Sequence, residues 1–503
     1  MSAQGRSSSH TSAGLMRAVD RERPFWREEA WLVVAAGLLW LVCGARAGAL
    51  GLVLSVPPGL LLVAAGVSNL LWPGDPRQRH FAALGAFVGL LGGPLALVWA
   101  GPSASLVLTL LSFAAAWAAG RLSLRLQEPW EDVPQPAHTL RTALEVAVDC
   151  AVLSQMTITA PVRGLRGNSH RVAAEVHEAL ALYQERGWVD DPASYHRTPP
   201  PLEKPQLRPR RARGVRFEHL SFESGYEPHP DEPGRERWLS YAPCRTAHAW
   251  VLRHGADGGG RPWLVCVHGY QMGTPLVDFG AFRPAWLHER LGLNLVLPVL
   301  PIHGPRRIRR VSGDGFLSGE LLDTVHALAQ TAWDIRRIVS WVRRQGAAPI
   351  GIYGLSLGGY STALVASLEP GFACAIAGIP ATDFARLSWK HGPADSLRRA
   401  EEAGIGLGEI TNLKKVVSPL ALRPQLPRER RFVFGGSADQ LVPPDLVRDL
   451  WLHWERPAMH WYPGAHCTFG LHRPVRHFIE DALRASGLAA GRPTGEPEIS
   501  AAI

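Results

Sequence analysis

The sequence predicts an α/β protein, a mostly parallel sheet with helices on both faces, preceded by a region of four membrane-spanning helices. Two observations predict it. Charge is unevenly placed: residues 81–120 contain no Asp, Glu, Lys or Arg, and neither do 30–45 or 47–74. From about residue 215 onward, short apolar runs such as "PWLVCVHGY", "LNLVLPVLP" and "PIGIYG" alternate with helical patterns. Apolar strands separated by helices require a largely parallel sheet covered on both sides.

The 503 residues allow two or three domains. Hydrophobic residues make up 46% and charged residues 19%, but they segregate along the chain. A spanning helix needs roughly 20 apolar residues. The uncharged stretches divide into spans at about 29–45, 49–72, 81–101 and 103–120. Pro57, Pro58 and Pro94 fall inside spans and predict kinks. Pro102 marks the tight turn before the last span. A soluble core has no need of so long an uncharged run. Arg17, Arg21, Arg23 and Arg27 precede the first span, Arg77 and Arg79 separate the second from the third, and Arg121 and Arg125 follow the fourth. Basic residues stay on the cytoplasmic side, so both termini and the large C-terminal domain are expected there, at the inner or cell membrane. A competing reading takes Ala45-Arg46-Ala47 as a signal-peptidase site. The long Ser-rich leader and the lack of basic bias on the other side argue against it. Residues 1–28 and 488–503 read as a disordered leader and tail.

Six cysteines, scattered, do not make a disulfide framework. Cys43 lies in a span, and Cys266 and Cys374 lie in apolar runs, as small buried residues do. Residues 121–214 form a connector with helical patterns near 138–157 and 169–187, the second with Ser169 as N-cap. It ends in "HRTPPPLEKPQLRPRRARG", which reads as a linker with little regular structure. The domain at 215–487 opens with the strands "VRFEHLSF" and "AHAWVLRH". "PWLVCVHGY", a helix near 281–291, "LNLVLPVLP" and a long helix near 319–345 follow. "PIGIYG", a helix from 357 and "ACAIAGIP" lead to a mixed segment at 381–429. "RRFVFGG", a helix near 443–453, "AMHWYPG" and a helix at 473–486 close it.

Chemistry concentrates at the ends of these strands. Gly354-Leu355-Ser356-Leu357-Gly358 is G-x-S-x-G between a strand and a helix. In that context the turn is sharp and the serine hydroxyl stands out over the sheet. A serine is a poor nucleophile without a base, and the base needs an orienting carboxylate. In this architecture the order is serine, acid, histidine. "FVFGGSADQLVPP" places Asp439 just past one strand, and "HWYPGAHCTF" places His466 just past the next. Asp383 in "IPATDF" is the rival acid. Upstream, "LVCVHGYQMG" turns at His268-Gly269-Tyr270. A backbone N–H from Tyr270 or Gln271 there can join that of Leu357 as an oxyanion hole. Tyr270 and Leu357 are the expected pair. His268 reads as a turn and packing residue, and Cys467, which lacks an elbow, as structural.

These features resemble the alpha/beta-hydrolase superfamily over residues 215–487: the His268-Gly269 turn, the elbow at 354–358, Asp439 after Gly435-Gly436, and His466. The Ser-Leu-Gly-Gly elbow and the HG turn look most similar to the dienelactone-hydrolase-like and prolyl-oligopeptidase-like branches. The resemblance implies acyl chemistry through an acyl-enzyme, on an ester, thioester or lipid, with no cofactor and no metal. Ser356 is then the nucleophile, His466 the base and Asp439 its partner.

Other classes fit less well. A dead scaffold would not need the elbow, acid, base and HG turn all kept. A transporter would need ionisable groups within the spans, and those present sit at span ends. An acyltransferase would use the same serine and differ only in acceptor. A pI near 9.6 permits nucleic-acid binding, but the basic residues flank the spans and linker, so membrane lipids are the expected partners and nucleic acid is not. Gln271, His303, Arg306 and Arg307 are the candidate substrate-binding residues. Arg306 and Arg307 stand in a basic run expected near the nucleophile's side of the sheet, where it would receive an anionic substrate or a membrane face.

Overall fold

The computed structural model describes residues 26–72, 75–159, 168–256 and 258–490. Most of the leader and tail, where the sequence predicts disorder, therefore lies outside the described residues. The chain divides into two compact units.

The first unit takes residues up to 159 together with two short loops, 437–441 and 463–469. Its helices are α1 (Trp26–Arg46), α2 (Gly48–Leu71), α3 (Pro76–Leu95), α4 (Leu97–Ala100), α5 (Pro102–Arg125) and α6 (Leu140–Thr159). Three of them, α1, α2 and α5, are long and apolar enough to cross a membrane. The sequence predicted four. The third expected span fails because its helix begins Pro76-Arg77-Gln78-Arg79-His80 and stops just past Pro94, after which the short α4 starts afresh. Pro57 and Pro58 do not interrupt α2. The interior is close-packed. A Cβ on Gly120 of α5 would lie 1.7 Å from the Ala143 carbonyl oxygen of α6, so only glycine allows that approach. Trp40 is fully buried and its indole N–H donates to Ser112 Oγ at 3.0 Å. Val146 and Cys150 of α6 share this core with Ala438 and Ala465, one from each loop. Leu50, Val53, Leu91, Val98 and Leu106 point outward.

The second unit is built on a nine-stranded sheet. Its strands are β1 (Gln206–Ala212), β2 (Val215–Glu223), β3 (Thr246–Leu252), β4 (Trp263–Val267), β5 (Asn294–Val299), β6 (Ile350–Leu355), β7 (Cys374–Gly378), β8 (Arg431–Gly436) and β9 (Ala458–Tyr462). The order is β1-β2-β3-β5-β4-β6-β7-β8-β9. β1 to β3 and the β3–β5 pair run antiparallel, and β5, β4 and β6 to β9 run parallel. Every residue of β4 to β8 is buried, which is why these segments read as unbroken apolar runs rather than alternating ones.

Around the sheet lie α7 (Ser169–Glu185), α8 (Pro275–Phe282), α9 (Leu321–Arg343), α10 (Leu357–Leu368), α11 (Phe384–His391), α12 (Ala394–Glu402), α13 (Leu407–Lys414), α14 (Pro444–His453) and α15 (Arg473–Ala485). Strand side chains alternate between the two faces. Val265, Val296 and Ile352 pack with Leu328, Ile335 and Leu364 of α9 and α10. Tyr353, on the other face, meets Phe282 of α8 edge-on, and Phe432 meets Phe478 of α15.

Several expectations are corrected. The Arg-rich "linker" supplies β1, an edge strand hydrogen-bonded to β2. An edge tolerates Pro209, and Arg208, Arg210 and Arg211 are exposed there. The helix expected near 281–291 is α8 followed by a separate turn of wider helix at Ala285–Arg290. Asn168, not Ser169, occupies the N-cap position of α7. Leu488, placed in the tail by the sequence, is buried: Gly487 takes φ +73° and the Leu488 N–H returns to the Leu483 carbonyl at 2.8 Å, closing α15.

Candidate active site

The elbow is set by β6 running straight into α10. Ser356 sits between them at φ 58°, ψ −115°, a region that side chains other than glycine rarely enter and that costs on the order of 1–3 kcal/mol. The surrounding glycines make it feasible. A Cβ on Gly354 would stand 2.0 Å from the Gly358 carbonyl oxygen, and one on Gly358 would stand 1.9 Å from that of Val267 in β4. The turn is further fixed by the Ser356 N–H donating to Gly378 O at 2.9 Å. Leu357 is the first residue of α10, so its N–H has no acceptor inside the helix and is available to an anion. The HG turn after β4 lies beside it. A Cβ on Gly269 would come within 3.5 Å of Ser356 Cβ. Tyr270 follows it, and Gln271 adopts φ 62°.

Asp439 follows β8 and His466 follows β9, in the two loops of the first unit. There they form a pair: His466 Nδ1 donates to Asp439 Oδ2 at 2.7 Å, and Asp439 Oδ1 accepts the Leu441 N–H at 2.9 Å. Both side chains are buried. Burial by itself disfavours the imidazolium. The Asp439 charge and hydrogen bond, and then the charge of Asp149, outweigh it, so the His466 pKa is raised. The bond to Nδ1 fixes the tautomer and leaves Nε2 as the basic nitrogen. Asp383, the rival acid, instead caps α11, accepting the Ala385 and Arg386 N–H groups at 2.9 and 3.0 Å.

Asp149 was not legible as a site residue. It projects from α6, fully buried, and accepts the backbone N–H groups of Gln440 (3.1 Å), His466 (2.8 Å) and Cys467 (2.9 Å). Glu145, one turn earlier, accepts from Thr468 Oγ1 at 2.9 Å. Gln127 donates to Ser437 O at 2.7 Å and accepts from Gln440 Nε2 at 3.2 Å. The one trace in the sequence is "LEVAVDC", which places two acids four residues apart on an otherwise apolar helix.

The predicted substrate-binding residues fare unequally. Arg306 is a correction. It is fully buried, ion-paired with Asp334 at 2.9 Å and donating to Val299 O and Cys244 O. It is a strut inside the second unit and has no free face for a ligand. His303 is also fully buried, with Nδ1 at 2.9 Å from Pro301 O. Burial, the neighbouring His268 and Arg306 hold its imidazole neutral, with the pKa down at about 3. Arg307 is exposed and half-buried Gln271 stays on the HG turn. His268 packs as expected, with Nδ1 donating to Gly269 O at 2.8 Å and Nε2 accepting the Leu300 N–H at 3.1 Å. Among the described residues no group of three or more His, Cys, Asp or Glu side chains is gathered as metal ligands.

A strand order with one antiparallel arm, a strained serine between strand and helix, and an HG turn beside it define an α/β hydrolase. In keeping with that, the family model described as "Alpha/beta hydrolase domain containing 18" matches residues 320–390, which run from α9 through the elbow into the segment after β7. Uncharacterized proteins from two strains of Mycobacterium tuberculosis are each 42% identical over 364 residues, covering 72% of this chain and 86% of the relative. The chain belongs to one family with these mycobacterial proteins, within the alpha/beta-hydrolase superfamily. Similar solved structures include an acetyl xylan esterase from Thermoanaerobacterium (TM-score 0.41, 16% identity, 59% of this chain and 93% of that one). A Klebsiella pneumoniae protein assigned as a dienelactone hydrolase is another (TM-score 0.34, 17% identity, 48% and 93%). Scores this low do not define the fold; the sheet order and the elbow do.

Proposed function

We propose that the protein is a membrane-anchored serine hydrolase that cleaves an ester, thioester or lipid acyl bond. The observation that carries this reading is the strained Ser356 elbow at the start of α10. Strain of this kind is retained where a side chain must be presented for chemistry. In the proposed reaction His466 Nε2 takes the Ser356 hydroxyl proton as Oγ attacks the acyl carbon. The developing oxyanion is held by the N–H groups of Leu357 and Tyr270. Imidazolium formation is favoured by Asp439, whose carboxylate already binds Nδ1 at 2.7 Å. The imidazolium returns the proton to the leaving group, and water, activated by the same histidine, releases the acid from Ser356.

Anchoring is part of the proposal. It is supported by three helices of spanning length and by the outward apolar faces of Leu50, Val53 and Leu106. The arginine distribution around them supports a cytoplasmic second unit. The test of function is turnover of short-chain esters, long-chain esters and lipid vesicles by the detergent-solubilised chain beside its Ser356→Ala variant. Serine-dependent turnover of any of these acyl substrates supports the reading, and turnover that survives in the variant refutes it.

A further inference from the structure

We infer that Asp149 is a positioning residue of the hydrolase site, clamping the loop of the acid and the loop of the base to helix α6. This deepens the triad reading above and rests on it. The carboxylate spends both oxygens on backbone: Oδ2 accepts from Gln440 N and His466 N, and Oδ1 from Cys467 N. The three donors lie next to Asp439 and on or beside His466 itself, roughly 290 to 320 residues away in sequence. A backbone N–H can only donate, so the site suits the ionised carboxylate. The remaining contacts repeat the pattern. Thr468 is tied to Glu145 of the same helix, Ser437 and Gln440 are tied to Gln127, and Ala438 and Ala465 are seated in the helical core. Surface loops are normally held by their own domain. These two are held by a helix that follows the apolar region.

The charge has a second effect. The groups that act on His466 are Asp439 and Asp149, both raising its pKa. Those that act on Asp149 are Asp439 and His466, with burial and Asp439 pushing its carboxyl up to about 7 and His466 and the N–H donors opposing them. On α6 itself, Glu145 is paired with Arg141, and Cys150 lies within the field of both Asp149 and Arg79 of α3; from the His466 loop the Cys467 thiol also faces Asp149, and burial and that charge push it up, so it stays neutral. Asp149 and His466 therefore titrate as a coupled pair, with Asp149 adding negative charge where the imidazolium forms.

The experiment uses the full-length chain in detergent. Asp149→Asn and Asp149→Ser are compared with wild type as monodisperse folded protein, on a neutral short-chain ester. Removing the clamp should lower kcat by about 10²-fold, the scale of misplacing a catalytic group by about 1 Å, with KM changed by no more than about twofold. The acid limb of kcat should also move down by about one pH unit, because a negative charge beside the imidazole is gone. Asp149→Glu should recover the limb more than the rate. An unchanged rate and limb in the folded Asn variant, while Ser356→Ala is inactive, would overturn the inference and leave the triad standing. Wild-type protein without serine-dependent turnover would instead remove the triad reading beneath it. Loss of all folded protein in both variants would make Asp149 a folding determinant and would also overturn it.

Discussion

Replacing Asp439 by Asn changes one atom and removes one charge, so its consequences can be worked from the geometry. The lost contact is a 2.7 Å bond between Asp439 Oδ2 and His466 Nδ1, in a place where Asp439 is 2% exposed. At that separation, with an effective dielectric constant of about 20, the attraction between carboxylate and imidazolium is about 6 kcal/mol. Imidazolium forms only as the serine attacks, so most of that energy is absent from the resting enzyme and is lost from the transition state. About 6 kcal/mol corresponds to a fall of roughly 10⁴-fold in turnover, the size also expected from loss of the correct tautomer. The pH profile should move as well. In the wild type the raised pKa of His466 keeps it protonated to higher pH than an ordinary histidine. The base form is therefore lost as pH falls through a value above the usual 6.5 or so, and the acid limb of kcat/KM should lie there. In Asp439→Asn the limb should shift to lower pH. The assay is hydrolysis of a p-nitrophenyl ester from about pH 5 to 10, with Asp383→Asn in parallel. A folded Asp439→Asn enzyme that keeps more than about a tenth of wild-type kcat, or an Asp383→Asn enzyme that is the more damaged, would rule out Asp439 as the partner of His466.

Three further outcomes follow from the packing and the charge pattern. Gly358→Ala would drive a methyl to 1.9 Å from the Val267 carbonyl oxygen, and neither backbone can yield without opening the elbow. A loss of at least about 1–3 kcal/mol and of serine reactivity is expected, and an unchanged melting temperature would contradict it. Arg306→Met leaves Asp334 buried without its partner, so unfolding should become easier by about 3–5 kcal/mol in a denaturant titration, whereas the exposed Arg309 and Arg310 changed to Gln should leave the midpoint in place. A C-terminal reporter active only in the cytoplasm should work, and one active only outside should not; the reverse would point to the Ala45-Arg46-Ala47 cleavage reading.

What was legible in the sequence was whatever depends on local spacing. The runs "LVCV", "GIYG" and "AIAG" are strands because they are buried on both faces, and Gly354 and Gly358 bracket Ser356 because backbones touch there. Asp439 and His466 were readable from their places just past β8 and β9. What escaped depends on partners distant in sequence. Nothing near Arg306 announces that Asp334 will neutralise it, so a buried strut looked like a surface cation. "RPRRARG" lacks apolar alternation, yet β2 offers it an edge to pair with. Asp149 lies about 290 residues or more from the loops it holds, and no local pattern encodes that. The third apolar stretch, 81–101, is itself uncharged, but the helix that carries it starts at Pro76, takes Arg77 and Arg79 into its first turn and stops at Leu95.

The proposed chemistry rests on Ser356 as the nucleophile. It is tested most directly by reacting the solubilised chain with a fluorophosphonate probe and locating the adduct by peptide mass spectrometry. A single adduct on Ser356 is expected, blocked by prior denaturation and absent from Ser356→Ala. An adduct on another residue, or labelling that persists in the alanine variant, would contradict it.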